Sequence, residues 1–169
     1  GPRIPGLAIG VVTDVREPSG AQNGAVRLKF PWLDDTYVSD WVRTVQWGGK
    51  GGGGVVSPEV NDEVLVGFEQ GLLDSPYVIG GLYNGVDTPS KHDVPLIDGT
   101  SGKVNRRSIV SRSGHRVELL DPRSGPSGVR LRTGDERMEV MLDDRNDRIT
   151  LTVYAAGGRR AITSVRLDE

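Results

Sequence analysis

The chain has no cysteine among its 169 residues, which excludes disulfides and zinc–thiolate sites. It holds only two Phe, two Met and two His. So few large apolar side chains argue for a modest core. Charge of one sign is also lacking: 21 Lys and Arg stand against 23 Asp and Glu, for a formal net charge of −2. Interspersed charges of this kind exert no strong pull toward nucleic acid or an anionic membrane. No apolar run is long enough to span a bilayer, and none has the pattern of a signal peptide. A chain without disulfides must draw its stability from burial or from association with other chains.

What the sequence has in quantity is glycine, 24 residues of it, set between organised runs of Val, Ile and Leu. That combination predicts many turns between short strands and not disorder. Residues 7–15, 25–30, 40–45, 63–69 and 76–83 read as five strands. In the second, Val26, Leu28 and Phe30 alternate with Arg27 and Lys29, and Pro31 ends the run because it cannot donate to a ladder. In the fourth, Val64, Val66 and Phe68 share one face and Leu65 the other. No segment here carries apolar residues at helical spacing with caps. Five strands at this turn density predict a five-stranded OB-type barrel over residues 7–87. Its expected packing residues are Phe30, Trp32, Trp41, Val64, Val66, Phe68 and Tyr83. Residues 88–106, with Pro89, Pro95, Gly99 and Gly102, read as an extended linker.

Residues 107–169 differ in texture. Short alternating runs recur at 108–111, 116–120, 128–132, 137–142, 148–154 and 161–167, between Gly, Asp and Asn turns. In Arg116-Val117-Glu118-Leu119 and Val129-Arg130-Leu131-Arg132 every second residue is charged. One apolar row per strand cannot close a core over so few residues, whereas stacking against identical chains can bury it. A trimeric β-prism is therefore expected, with Val117, Leu119, Val129, Leu131, Val140, Leu142, Ile149, Leu151 and Val153 on a shared apolar axis. A self-sufficient small β-sandwich is the competing arrangement.

Catalytic and ligand-binding signatures are weak. Gly49-Lys50-Gly51-Gly52-Gly53-Gly54 fits G-x-G-x-x-G, but Val55-Val56-Ser57-Pro58 follows where a nucleotide site needs a helix. Ser113, His115 and Asp121 could be drawn as a triad, yet Ser-Gly-His at a strand entry reads as a turn. Asp143-Asp144-Arg145-Asn146-Asp147 lacks the glycine and the alternating acids of a calcium loop and reads as a hairpin turn. The adjacent Asp34 and Asp35 cannot face each other across a cleft as glycosidase carboxylates do. Trp32, Trp41, Trp47, Tyr37, Tyr77 and Tyr83 could stack bases, but Arg27, Lys29 and Arg43 are balanced by Asp34, Asp35 and Asp40. No catalytic, cofactor-binding or metal-binding residue is assigned.

The order of several phrases is more specific. Gly10-Val11-Val12-Thr13-Asp14, Phe30-Pro31-Trp32-Leu33, Ser39-Asp40-Trp41-Val42-Arg43, Pro58-Glu59-Val60-Asn61-Asp62-Glu63-Val64 and Gly81-Leu82-Tyr83-Asn84-Gly85 together resemble the contractile-tail spike family, which includes VgrG and the phage baseplate spike. Asn61 stands where glycine is commoner in that family, at a turn position asparagine also tolerates. Ser111-Arg112-Ser113-Gly114-His115 resembles the entry to the family's β-helix. Some family spikes bind iron at the tip through His-x-His pairs; none occurs here, so no metal is carried over.

The resemblance implies a noncatalytic homotrimer that punctures a target envelope mechanically. It implies an upstream hub domain or hub protein, an inner-tube protein, and a PAAR-type tip protein or effector as partners. It implies no cofactor, no nucleic acid, and membrane contact only by transient penetration. The location implied is a contractile particle assembled in the cytoplasm, either a virion baseplate or an injection apparatus. Gly1-Pro2 reads as a cleavage scar, so the chain is expected to be a fragment of a longer hub–spike protein. The alternative is an OB-fold module that binds nucleic acid or oligosaccharide.

Overall fold

The computed structural model describes residues 6–90, 92–157 and 160–169. It is all-β: eleven strands and two single 3-10 turns account for the regular structure of the described residues. The chain divides into two compact units, residues 1–88 and 89–169.

The first unit carries β1 (Leu7–Asp14), β2 (Arg27–Lys29), β3 (Arg43–Thr44), β4 (Glu63–Phe68) and β5 (Pro76–Gly81). They form one sheet in the order β2-β1-β4-β5-β3, in which only the β3–β5 pair is parallel. The sheet curls until its two edges meet, because Val26 and Val42 exchange backbone hydrogen bonds of 2.9 and 2.8 Å. That strand order with a closing bridge is the OB arrangement. Inside lie Val12, Val26, Leu28, Phe30, Val42, Val64, Val66, Phe68, Leu73 and Val78.

The strands are shorter than the sequence predicts, for local reasons. β2 stops at Lys29, ahead of Pro31. The run at 40–45 shrinks to two residues because the Asp40 carboxylate takes the Trp41 N–H at 2.8 Å and Val42 turns to Val26. Asn61 has a φ of 76°, and its N–H donates to Val12 O at 2.8 Å, so it occupies the left-handed conformation that favours glycine or asparagine.

Three expected core residues stand outside the core. Trp32 remains 46% exposed; its ring packs on Phe30 at 5.4 Å while its indole N–H donates to Ile9 O at 2.8 Å. Tyr83 is 70% exposed, because it lies past the end of β5 where the chain leaves the barrel. Trp41 is only half-buried. A polar ring edge that needs a partner keeps such residues at the rim of so small a barrel.

The second unit carries β6 (Arg106–Val110), β7 (Arg116–Leu120), β8 (Gly128–Arg132), β9 (Met138–Asp143), β10 (Arg148–Tyr154) and β11 (Ala161–Asp168). They form a single antiparallel meander in sequence order. The segment read as an extended linker is folded into this unit. Ile97 bridges Val104, Asp98 caps the turn between them, Val94 is buried, and the Asn105 N–H donates to Leu96 O at 2.8 Å. Composition concealed this because Pro and Gly mark tight turns as readily as open linkers.

Candidate functional site

The side chains of the six-stranded sheet sort into two faces of opposite character. On one, register aligns Ile109, Val117, Leu131, Val140, Leu151 and Val165 into an aliphatic row that crosses all six strands. A second row runs Leu119, Val129, Leu142, Ile149 and Leu167, and Val153 opposite Met138 begins a third. All nine residues expected to share an apolar axis therefore lie on this face. It is poorly covered by the chain itself: Val117 is 43%, Leu142 46% and Leu151 47% exposed.

The opposite face is ionic and buried. Glu118 is fully buried and accepts from Arg116 Nε and Arg130 Nε, each at 3.0 Å, and from Arg130 Nη2 at 3.1 Å. Arg130 also forks onto the Asp93 carboxylate at 3.0 and 2.6 Å. Arg132 donates to Glu139 at 2.7 Å, and the Tyr154 hydroxyl donates to the other oxygen of Glu139 at 3.2 Å. Arg116 and Arg132 face each other directly across β7 and β8, a repulsion relieved by Glu118, Glu136 and Glu139. Among the described residues of this unit only Val94, Leu120 and Met141 are buried apolar side chains.

The electrostatics follow from this packing. Burial pushes the Glu118 carboxyl up, but its bonds to Arg130 and Arg116 outweigh that and hold it below the usual range. The Arg130 fork likewise depresses Asp93. Burial works against the Arg130 charge, and Asp93 and Glu118 more than restore it. Burial, reinforced by the nearby Arg106 charge, lowers His92.

Alternating charges along each strand do not by themselves reveal this network. The signal available was complementarity at facing positions: in register, Glu118 opposes Arg130 and Arg132 opposes Glu139.

The remaining sequence candidates are dispersed. In the glycine loop, the Gly52 N–H donates to Lys50 O at 2.7 Å and no helix follows. His115 Nδ1 accepts the Gly134 N–H at 3.0 Å, while Asp121 lies beyond the far end of β7 and pairs with Arg107 at 3.7 Å, so no triad is assembled. The Asp143 carboxylate accepts the N–H groups of Arg145 and Asn146, each at 3.1 Å, and so closes the β9–β10 hairpin. Asp34 caps Thr36 at 2.7 Å within its own turn. What the described residues of the second unit present is a sheet with one aliphatic and one ionic face.

Residues 8–83 match the family described as the type VI secretion system/phage-baseplate injector OB domain. The type VI secretion system spike protein VgrG4b of Pseudomonas aeruginosa is 36% identical over 151 residues, which is 82% of this chain and 18% of that protein. VgrG5 of the same organism is 42% identical over 93 residues, 49% of this chain and 11% of its own length. VgrG2a is 32% identical over 98 residues, 52% of this chain and 11% of its own length. The chain thus spans less than a fifth of each of these relatives. With a barrel of the matching class in place at residues 8–83, the chain belongs to the family of VgrG and phage-baseplate spike proteins.

Proposed function

We propose that this chain is a noncatalytic structural segment of a contractile-injection spike, and that three copies bury the aliphatic face of β6–β11 against one another. The observation that carries the reading is the pair of cross-strand aliphatic rows, left half-exposed on a sheet whose other face is spent on ion pairs. Full burial of a Val, Leu or Ile side chain stabilises by about 1.5–3 kcal/mol, so leaving such a face in water forfeits most of what this unit can gain. A closed three-fold ring buries the same face of every copy and leaves none over.

In this reading the OB barrel is a collar that joins an upstream hub and the inner tube to the spike. The sheets of three chains form a prism that leads toward a PAAR-type tip protein or an effector. The particle acts by mechanical penetration of a target envelope. Strands that share one apolar axis distribute load over many main-chain hydrogen bonds, which suits a part that must resist unfolding.

The direct test is solution mass. Light scattering on a sizing column should return three times the 18.2 kDa chain mass, unchanged on dilution. Leu151→Arg, which puts a charge into the middle of the aliphatic row, should dissociate the assembly. A wild-type monomer, or a Leu151→Arg variant that keeps the wild-type mass and heat stability, would sink the shared axis.

A further inference from the structure

His92 is an unusual resident of the ionic face. Its side chain is 2% exposed, and among the described residues neither ring nitrogen has a hydrogen-bond partner. Nδ1 approaches Glu118 Oε2 at 3.4 Å, but both oxygens of that carboxylate already accept guanidinium N–H groups. The charged groups around the ring come from every neighbouring element: Arg106 of β6, Arg116 and Glu118 of β7, and Asp93 on its own segment. Arg130 of β8 stands behind them, bonded to both carboxylates. The next two residues fasten the segment to the sheet: Asp93 takes the Arg130 fork, and Val94 is 3% exposed. An imidazole without a hydrogen bond, set beside two guanidinium groups and a carboxylate that already accepts three N–H groups, is held toward the neutral ring.

We propose that residues 92–94 form a proton-sensitive latch, in which protonation of His92 loosens this segment from the ionic face while the six strands beneath stay paired. A proton on the ring would place a third cation beside Arg106 and Arg116 at a side chain only 2% exposed. Glu118 already shares its charge among three guanidinium N–H groups, so it offsets that cation only in part. Swinging the ring into solvent avoids that cost, and the Asp93–Arg130 fork and Val94 move with it. The inference depends on contacts within one chain and stands whether that chain is single or in a trimer.

The latched ring titrates below its ordinary 6.5, and the released ring titrates near it. The latch is therefore fully stabilised above that value. Its closed-to-open ratio falls about tenfold per pH unit as pH drops from there toward the latched pKa. Asp93 and Glu118 are both depressed, so they remain ionised through that window and do not contribute the change.

The test is an NMR titration of the full chain, selectively labelled at histidine and arginine, from pH 7.5 to 5. Exchange of the Arg130 Nε–H, corrected for its intrinsic pH dependence, should accelerate about tenfold per unit below 6.5. His92→Gln should abolish that slope, and His115→Gln, which alters the only other imidazole, should leave it intact. Asp93→Asn should speed exchange at every pH and retain the slope. A flat wild-type profile, a slope that survives His92→Gln, or a His92 ring that titrates at or above 6.5 in place would overturn the latch. Because the last of these is read on the wild-type chain, the proposal stays refutable even if His92→Gln fails to fold.

Discussion

At the scale of single residues, two positions carry more than their composition suggests. Gly128 opens β8 with a φ of 121°, and a Cβ there would lie 1.9 Å from the carbonyl oxygen of Leu142. Gly128→Ala therefore combines a backbone conformation that L-residues avoid with a clash against the neighbouring strand. Strain of this kind alone costs about 1–3 kcal/mol, so the denaturant midpoint should fall clearly below wild type. Glu118 is the second. It is the carboxylate on which Arg116 and Arg130 converge, and all three side chains are buried. Buried pairs add little net stability over an apolar substitute, but removing one partner strands the others. Glu118→Ala should destabilise by about 3–5 kcal/mol in chemical denaturation. Simultaneous replacement of Glu118 and Arg130 by apolar residues should cost less than the single change.

Among the elements, β10 states the logic of the second unit most clearly. Ile149, Leu151 and Val153 project to the aliphatic face, whereas Arg148, Thr150, Thr152 and Tyr154 project to the other. A strand's side chains alternate with a period of two, so odd and even positions along β10 test opposite faces. Ile149→Arg should convert a trimer to smaller species in light scattering, like Leu151→Arg. Thr152→Ser, on the other face, should leave the mass unchanged. The alternation along 148–154 was legible in the sequence, as were the bounds of β7, β8 and β10. The hairpin at residues 97–104 was not, because its pairing is a single bridge and its turn is capped by Asp98. Two N–H bonds, from Ser101 and Thr100, hold the Asp98 carboxyl down to about 2, so the cap is lost only as pH falls through that value.

For the whole molecule, the two units differ in where their stability comes from. The first encloses its own cluster from Val12 to Val78. The second buries charge on one side and leaves its aliphatic residues half-exposed on the other. Residues 1–88 expressed alone should therefore fold as a monomer with a melting temperature independent of concentration. Residues 89–169 alone should show a melting temperature that rises with protein concentration, since folding and association are then one equilibrium. A concentration-independent transition of that second fragment would mean that the sheet is stable without partners.

Sequence by itself determined the strand periods, the turn positions and the segregation of Val117, Leu131, Val140 and Leu151 from their charged neighbours, because alternation is a local property. It also carried the ordered phrases of the barrel, whose turn chemistry is confined to a few adjacent residues. Only the tertiary structure decided what those alternating charges do. Whether Glu118 meets water or Arg130 depends on cross-strand register and on the return of residues 92–94 over the sheet. These contacts join positions up to 37 residues apart, a separation no local pattern encodes. The tertiary structure likewise left Trp32 at the rim, where its indole N–H finds Ile9 O, and Tyr83 past the end of β5, because neither position is set by local alternation.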